Sequence, residues 1–267
     1  MQLKRRVALN GVWLDEIDSR IAVSSVEPAD GRENISAVDA AAGYGQRITG
    51  NRRSTLDMNV KFRILEHGHS EEGMAARAEV LEKVNAWAAK GGVLTVNYKP
   101  NRQLNVILAQ APGEGSLWDY TKEFTIVFRA YTVPYWEQET AQQQTLGGGS
   151  ASASRAIQIE GSVKTQCNIE LLNTSGMGIQ NVRVAIGGIF MSFSSLGLGG
   201  NETLVIDHND GLVRIRIRNT SGGYRSAMWT RSMDSADDLM AAPGTWAASY
   251  IADRACRMTV SWRARYL

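Results

Sequence analysis

Thr55–Glu66 reads TLDMNVKFRILE, and its apolar and polar residues alternate almost without error. Leu56, Met58, Val60, Phe62 and Ile64 fall on one side, with Asp57, Asn59, Lys61 and Arg63 on the other. Successive side chains of an extended chain point to opposite faces, so a period of two marks an antiparallel strand with one buried and one wet side. The pattern recurs on either side of this segment. Lys4–Leu9 and Ile21–Val26 read as strands with an Asn10-Gly11 turn between them, and Val93–Tyr98, Leu104–Ala109 and Phe124–Tyr131 read as further strands. One helix interrupts them. Ser70 is placed to cap it, Glu71 and Glu72 suit the positive end of its dipole, and Val80, Leu81, Val84, Trp87 and Ala88 form an apolar stripe that stops at Gly91. Residues 27–53, with Pro28, Gly31, Gly43, Gly45 and Gly50, predict a long loop or an irregular hairpin.

A change of composition then suggests a boundary. Thr140–Arg155, TAQQQTLGGGSASASR, has Leu146 as its only large apolar side chain, and Gly/Ser-rich chain of this kind behaves as a flexible linker. The expected division is a β-rich α+β domain over 1–139, a linker over 140–154 and a second domain over 155–267. In the last part, Ala156–Ile159, Cys167–Leu172, Val182–Ile186, Phe190–Ser194, Thr203–Asp207, Val213–Arg218, Met228–Thr230 and Met258–Tyr266 read as strands between Gly-, Asn- and Ser-rich turns. Short strands at such spacing indicate a β-sandwich. The fold class is mainly β.

At 267 residues and 43% hydrophobic, the chain has material for two packed cores, and its formal charge of +2 gives no reason to expect nucleic acid as a partner. The basic start, MQLKRRVALNGVWLDEID, lacks the apolar run of a secretory signal, and no apolar stretch is long enough to cross a bilayer. The expectation is a soluble protein made in a cytoplasm. Two cysteines, Cys167 and Cys256, are too few for a disulfide framework; they read as buried thiols, with pairing left open.

Chemistry-bearing motifs are sparse. In LVRIRIR, Val213, Ile215 and Ile217 point inward and Arg214, Arg216 and Arg218 outward, forming either a solvated strand face or a grip for a partner's anionic groups. Tyr224, Trp229 and Trp246 are core aromatics or a sugar-stacking platform. His67 and His69 would need a third metal ligand, and the other histidine, His208, lies in the second domain. Asn173, Asn201 and Asn219 open sequons that mean nothing without secretion. The sequence has no G-x-S-x-G elbow, and carboxylates such as Glu160, Asp207, Asp210 and Asp234 make a glycosidase pair only if the fold brings two together. No enzyme, cofactor or metal is expected.

Several segments resemble the distal tail proteins of long-tailed bacteriophages. Val7-Ala-Leu-Asn-Gly-Val12 is similar to their opening strand and turn, and the strand 56–64 and helix 70–90 follow in the same order. Phe124–Trp136, FTIVFRAYTVPYW, resembles the strand with an aromatic Pro-Tyr-Trp end that closes their first domain. Ile157–Gly161, Pro243-Gly-Thr-Trp246 and Met258–Leu267 are similar to the opening and close of their galectin-like sandwich. The resemblance implies a homohexameric ring at the virion tail tip, built by the first domain. That ring would join the tail tube protein to a tail-tip hub or tail-associated lysin protein, with the second domain offered to a receptor-binding protein. Arg32, Arg47, Arg52 and Arg53 then become candidates for a subunit-interface loop, and Arg214, Arg216, Arg218, Trp229 and Trp246 for a partner or glycan surface. The alternative is a carbohydrate-binding, lectin-like module acting in host adhesion.

Overall fold

The alternation of 56–64 is realised in full. In the computed structural model, which describes residues 5–28, 33–39, 46–53, 55–66, 70–113, 123–209 and 212–267, Leu56, Met58, Val60, Phe62 and Ile64 are each no more than 3% exposed. This strand, β6 (Leu56–Ile64), pairs with β3 (Ile21–Pro28) on one side and β9 (Phe124–Ala130) on the other. Beyond β9 come β8 (Arg102–Gln110), β7 (Gly92–Val96), β1 (Val7–Leu9) and β2 (Val12–Trp13), giving an antiparallel sheet of order β2-β1-β7-β8-β9-β6-β3. The Asn10-Gly11 turn is present, with φ of 52° and 81°. It joins β1 to β2, not to β3 as the sequence suggested; the one-turn helix α1 (Leu14–Ile17) intervenes. Both turn residues need positive φ in so tight a hairpin, which is why Asn and Gly stand there.

Helix α2 (Glu71–Ala88) covers one face of this sheet. Ser70 Oγ accepts the Gly73 N–H at 3.2 Å, the expected cap. Val80, Leu81, Val84, Trp87 and Ala88 are all buried, as the stripe required. Trp87 meets Phe128 edge-on with ring centroids 5.8 Å apart, and its Nε1 donates to the Val12 carbonyl at 3.1 Å. Beneath, Phe62 stacks on Phe124 at 5.4 Å. Within 27–53, β4 (Glu33–Asp39) and β5 (Gln46–Arg53) form a two-stranded antiparallel sheet of their own, in line with the hairpin alternative, and 29–32 and 40–45 lie outside the described residues.

The chain divides into two compact units, residues 1–136 and 137–267. Strand β10 (Trp136–Gln138) spans the passage between them. The second unit contains β11 (Gln142–Ile159), β12 (Thr165–Asn173), β13 (Val182–Ile186), β14 (Ile189–Phe193), β15 (Thr203–Asn209), β16 (Leu212–Arg218), β17 (Tyr224–Ser226), β18 (Met240–Ala241), β19 (Gly244–Trp262) and β20 (Arg265–Tyr266). Its main order is β14-β13-β19-β12-β15-β16-β17, with β11 along the other side of β19.

The stretch read as a flexible linker is thus a strand. From Gln142 opposite Trp262 to Ile159 opposite Gly244, β11 and β19 run as one antiparallel ribbon. The first half of β19 carries β13 and its second half carries β12, so the ribbon turns a corner and the sheet folds over a single core that includes Ile169, Leu171, Val184, Leu204, Ile215 and Val260. The register slips between Gly147 and Ser152, and the glycines belong to that bend. Gly147 has φ of 77°, and a Cβ there would stand 2.0 Å from Tyr250 Oη and 2.8 Å from the Cys256 carbonyl. Tyr250, 1% exposed, donates from Oη toward the Ser150 and Cys256 carbonyls at 3.0 and 2.5 Å, closing the inside of the corner. A second expectation also changes. Met228–Thr230 is a single 3-10 turn, anchored by buried Ala227 and Thr230, and not a strand.

Candidate assembly surfaces

The hairpin β4–β5 contributes Arg47, Arg52 and Arg53 from β5, opposite Val38, Asn34 and Glu33 in backbone register. Arg32 lies outside the described residues.

On the second unit, the alternation of LVRIRIR is borne out: Ile215 and Ile217 are 1% exposed, and the arginines lie on the outer face. They do not form an open cationic row. Arg216 Nη2 donates to Asp207 Oδ2 at 2.5 Å with its guanidinium 4.5 Å over the Tyr224 ring, and Arg218 Nη2 donates to Glu170 Oε2 at 3.0 Å. Arg225 is held by Glu202 at 2.8 Å. Carboxylates on neighbouring strands match the arginines, which keeps the face solvated and adds little stability pair by pair.

The aromatics are not gathered into one platform. Trp246 donates its Nε1 to the Ala242 carbonyl at 2.7 Å and lies so close to Gly187 that a Cβ on the glycine would approach its ring to 2.7 Å. Gly187 is at the β13–β14 turn, whereas Trp229 sits beside the far end of β14, where Ser194 N–H donates to the Thr230 carbonyl. Tyr224 carries the Arg216 guanidinium 4.5 Å over one face of its ring and is 51% exposed. Trp229 stands out of the surface, 77% exposed.

The histidines and carboxylates named from the sequence are only in part among the described residues. His67, His69 and Asp210 lie outside them, and no group of three or more His, Cys, Asp or Glu side chains is placed to hold a metal. His208 Nδ1 contacts Asn168 Oδ1 at 3.0 Å, and burial lowers its pKa. Asp207 is committed to Arg216. Cys167 and Cys256 are free, buried and at opposite ends of the β12–β19 pairing, opposite Trp262 and Asn173. Burial pushes their thiols up to about 12 and about 11, so they are unreactive packing groups.

One ionic cluster ties elements of the first unit together. Asp18, just after α1, accepts from Arg20 Nε and Nη2, both at 2.8 Å, and from Lys83 Nζ on α2 at 3.2 Å. The Arg20 guanidinium, with help from Lys83, holds the Asp18 carboxyl far below the usual carboxylate range. A carboxyl depressed in the folded state stabilises above its unfolded pKa of about 3.9 and loses that contribution as pH falls below it. The first unit is therefore expected to weaken between neutral pH and pH 3, and Asp18→Asn to flatten this loss. Urea midpoints at the two pH values would show it; an equal loss in the variant would count against the role of Asp18.

The arrangement of strands, helix and corner ribbon has a counterpart among solved structures. The Dit protein of phage SPP1, described as a paradigm of the hub adsorption apparatus of phages infecting Gram-positive bacteria, superposes with a TM-score of 0.67 over 98% of this chain and 99% of that one, at 13% identity. The chain has the Dit fold. A chain of the phage P2 baseplate in its activated, calcium-bound conformation covers 98% of each sequence at 9% identity, with a TM-score of 0.46. The sequence matches no protein-family model, and no curated protein matches it. The resemblance to distal tail proteins thus holds at the level of the Dit fold, across both units.

Proposed function

We propose that this chain is a structural protein of the tail tip of a long-tailed phage or prophage, a ring-forming hub and not an enzyme. The observation that carries the proposal is the Dit fold over 98% of the chain. Six copies join the tail tube protein to the tail-tip hub or lysin component, and the second unit offers its outer surface to a receptor-binding protein. The hairpin β4–β5 supports the reading. An isolated two-stranded sheet is marginal in water, and among the described residues this one pairs with neither main sheet, which favours a neighbouring subunit as its packing partner. The contact would be heterologous and repeat until the rotation closes. The scattered aromatics give the lectin alternative no platform.

Light scattering on the purified chain, with negative-stain images of the same peak, tests the reading. The expected mass is six times the 29.2 kDa of one chain, in ring-shaped particles. Replacing 33–53 by a short Gly/Ser turn is expected to give a folded monomer. A wild-type chain that stays monomeric at every concentration would count against self-assembly.

A further inference from the structure

The 3-10 turn and the loop after it hold an apolar group outward on a fixed base. Ala227, Thr230 and Leu239 are buried, Ser194 and Ser232 N–H groups donate to the Thr230 and Ser192 carbonyls, and Ser235 Oγ accepts the Ser192 N–H. From this base project Met228, Trp229 and Met233, of which Met233 is fully exposed. Isolated exposed apolar residues are ordinary, but a Trp at 77% beside two methionines on a rigid turn is the composition of an interface anchor. Asp234, Asp237 and Asp238 follow directly and make its border acidic, with only Arg231 among them.

The first unit offers a depression of matching character. A groove of about 430 Å³ lies between the outer face of α2 and the β1–β2 and α1 segment, with Val12, Ile17, Ala86 and Trp87 among its apolar walls and Lys83 and Lys90 as its charged groups. That volume is within the range of about 300–1,000 Å³ typical of clefts that receive a ligand-sized group. Among the described residues both surfaces are open, with Val12 48% and Trp229 77% exposed. Apolar knob meets apolar groove, and Asp234 and Asp238 at one border meet Lys90 at the other, while Lys83 is held by Asp18 and Glu79 and Asp237 by Arg231.

We propose that the Trp229 knob of one copy seats in the α2 groove of a second copy. The inference rests on the self-assembly proposed above and adds a contact to it, one that brings the second unit into the subunit interface. Two different surfaces meet, so a joined pair keeps one free knob and one free groove, and further copies add until the ring closes.

Cross-linking of variants with one added cysteine tests it on the full chain, because the native Cys167 and Cys256 are both buried. Met233→Cys marks the knob and Ala86→Cys the groove; both positions are exposed. With a short bismaleimide, a mixture of the two variants is expected to give cross-linked dimers that neither gives alone, and the double variant a ladder. Adding Trp229→Ala to the knob variant is expected to weaken the contact about 30-fold or more and remove the cross-link. If light scattering shows assemblies but the mixture gives no more cross-link than each variant alone, this contact is wrong and the ring reading stands. If the wild-type chain never associates, both fall.

Discussion

Gly147→Ala is expected to destabilise the second unit by about 3 kcal/mol or more. Two costs add: a left-handed conformation forced on an L-residue, about 1–2 kcal/mol, and steric overlap with the buried Tyr250 hydroxyl on the inside of the corner, about 1–3 kcal/mol. The new methyl would meet Tyr250 Oη and the Cys256 carbonyl, and neither is the free end of a flexible chain. Gly149→Ala is the control. Nothing stands within 4 Å of its Cβ position and its φ is not positive, so about 0.5 kcal/mol or less is expected there. Denaturant melts of both variants decide the matter, with the first unit's transition serving as an internal reference. If 147–149 were a flexible spacer, the two substitutions would be indistinguishable and harmless.

Val60→Asp is expected to be worse for the first unit, at roughly 4–5 kcal/mol or more, enough to unfold a domain of ordinary stability. Val60 is 0% exposed and paired between Val26 on β3 and Ile126 on β9, so a carboxylate there would be buried among apolar strands. Its neighbour Asn59 faces the other way, opposite Glu27 on β3, and Asn59→Lys should leave the melt nearly unchanged. Circular dichroism melts of the pair would expose a register error directly: equal effects would mean that the strand does not present alternate faces.

These two experiments also mark what could be read in advance. One-sided burial writes a period of two into β6 and β9, and an amphipathic helix writes its stripe at Val80, Leu81, Val84 and Trp87, so both were legible from the residues. The corner ribbon was not. A sharp bend exposed on both faces selects Gly, Ser and Ala, the same residues that flexible spacers select. What distinguishes the two is the pairing of Ser152 with Ile251, far away in sequence. Met228–Thr230 failed for a different reason: three residues are too few to separate a turn from a strand. Of the candidate surfaces, the outward arginines were visible as a pattern, but the carboxylates that match them, Glu170 on β12 and Asp207 on β15, were identifiable only once the strand order was known. The exposure of Trp229 had no signature in sequence at all.

The β11–β19 ribbon has a consequence for how the protein is made. Its two strands start about 100 residues apart, and at translation rates of about 5–20 residues per second β11 waits on the order of 5–20 s for its partner to emerge. During that interval the first unit can already be folding, since β1 to β9 are out. The second unit cannot close until nearly its last residues are synthesised. Long-range pairing of this kind also slows folding itself. Small, weakly apolar residues through 147–156 leave little for a waiting strand to aggregate with, and the same composition that imitates a spacer keeps the nascent chain soluble until its other half arrives.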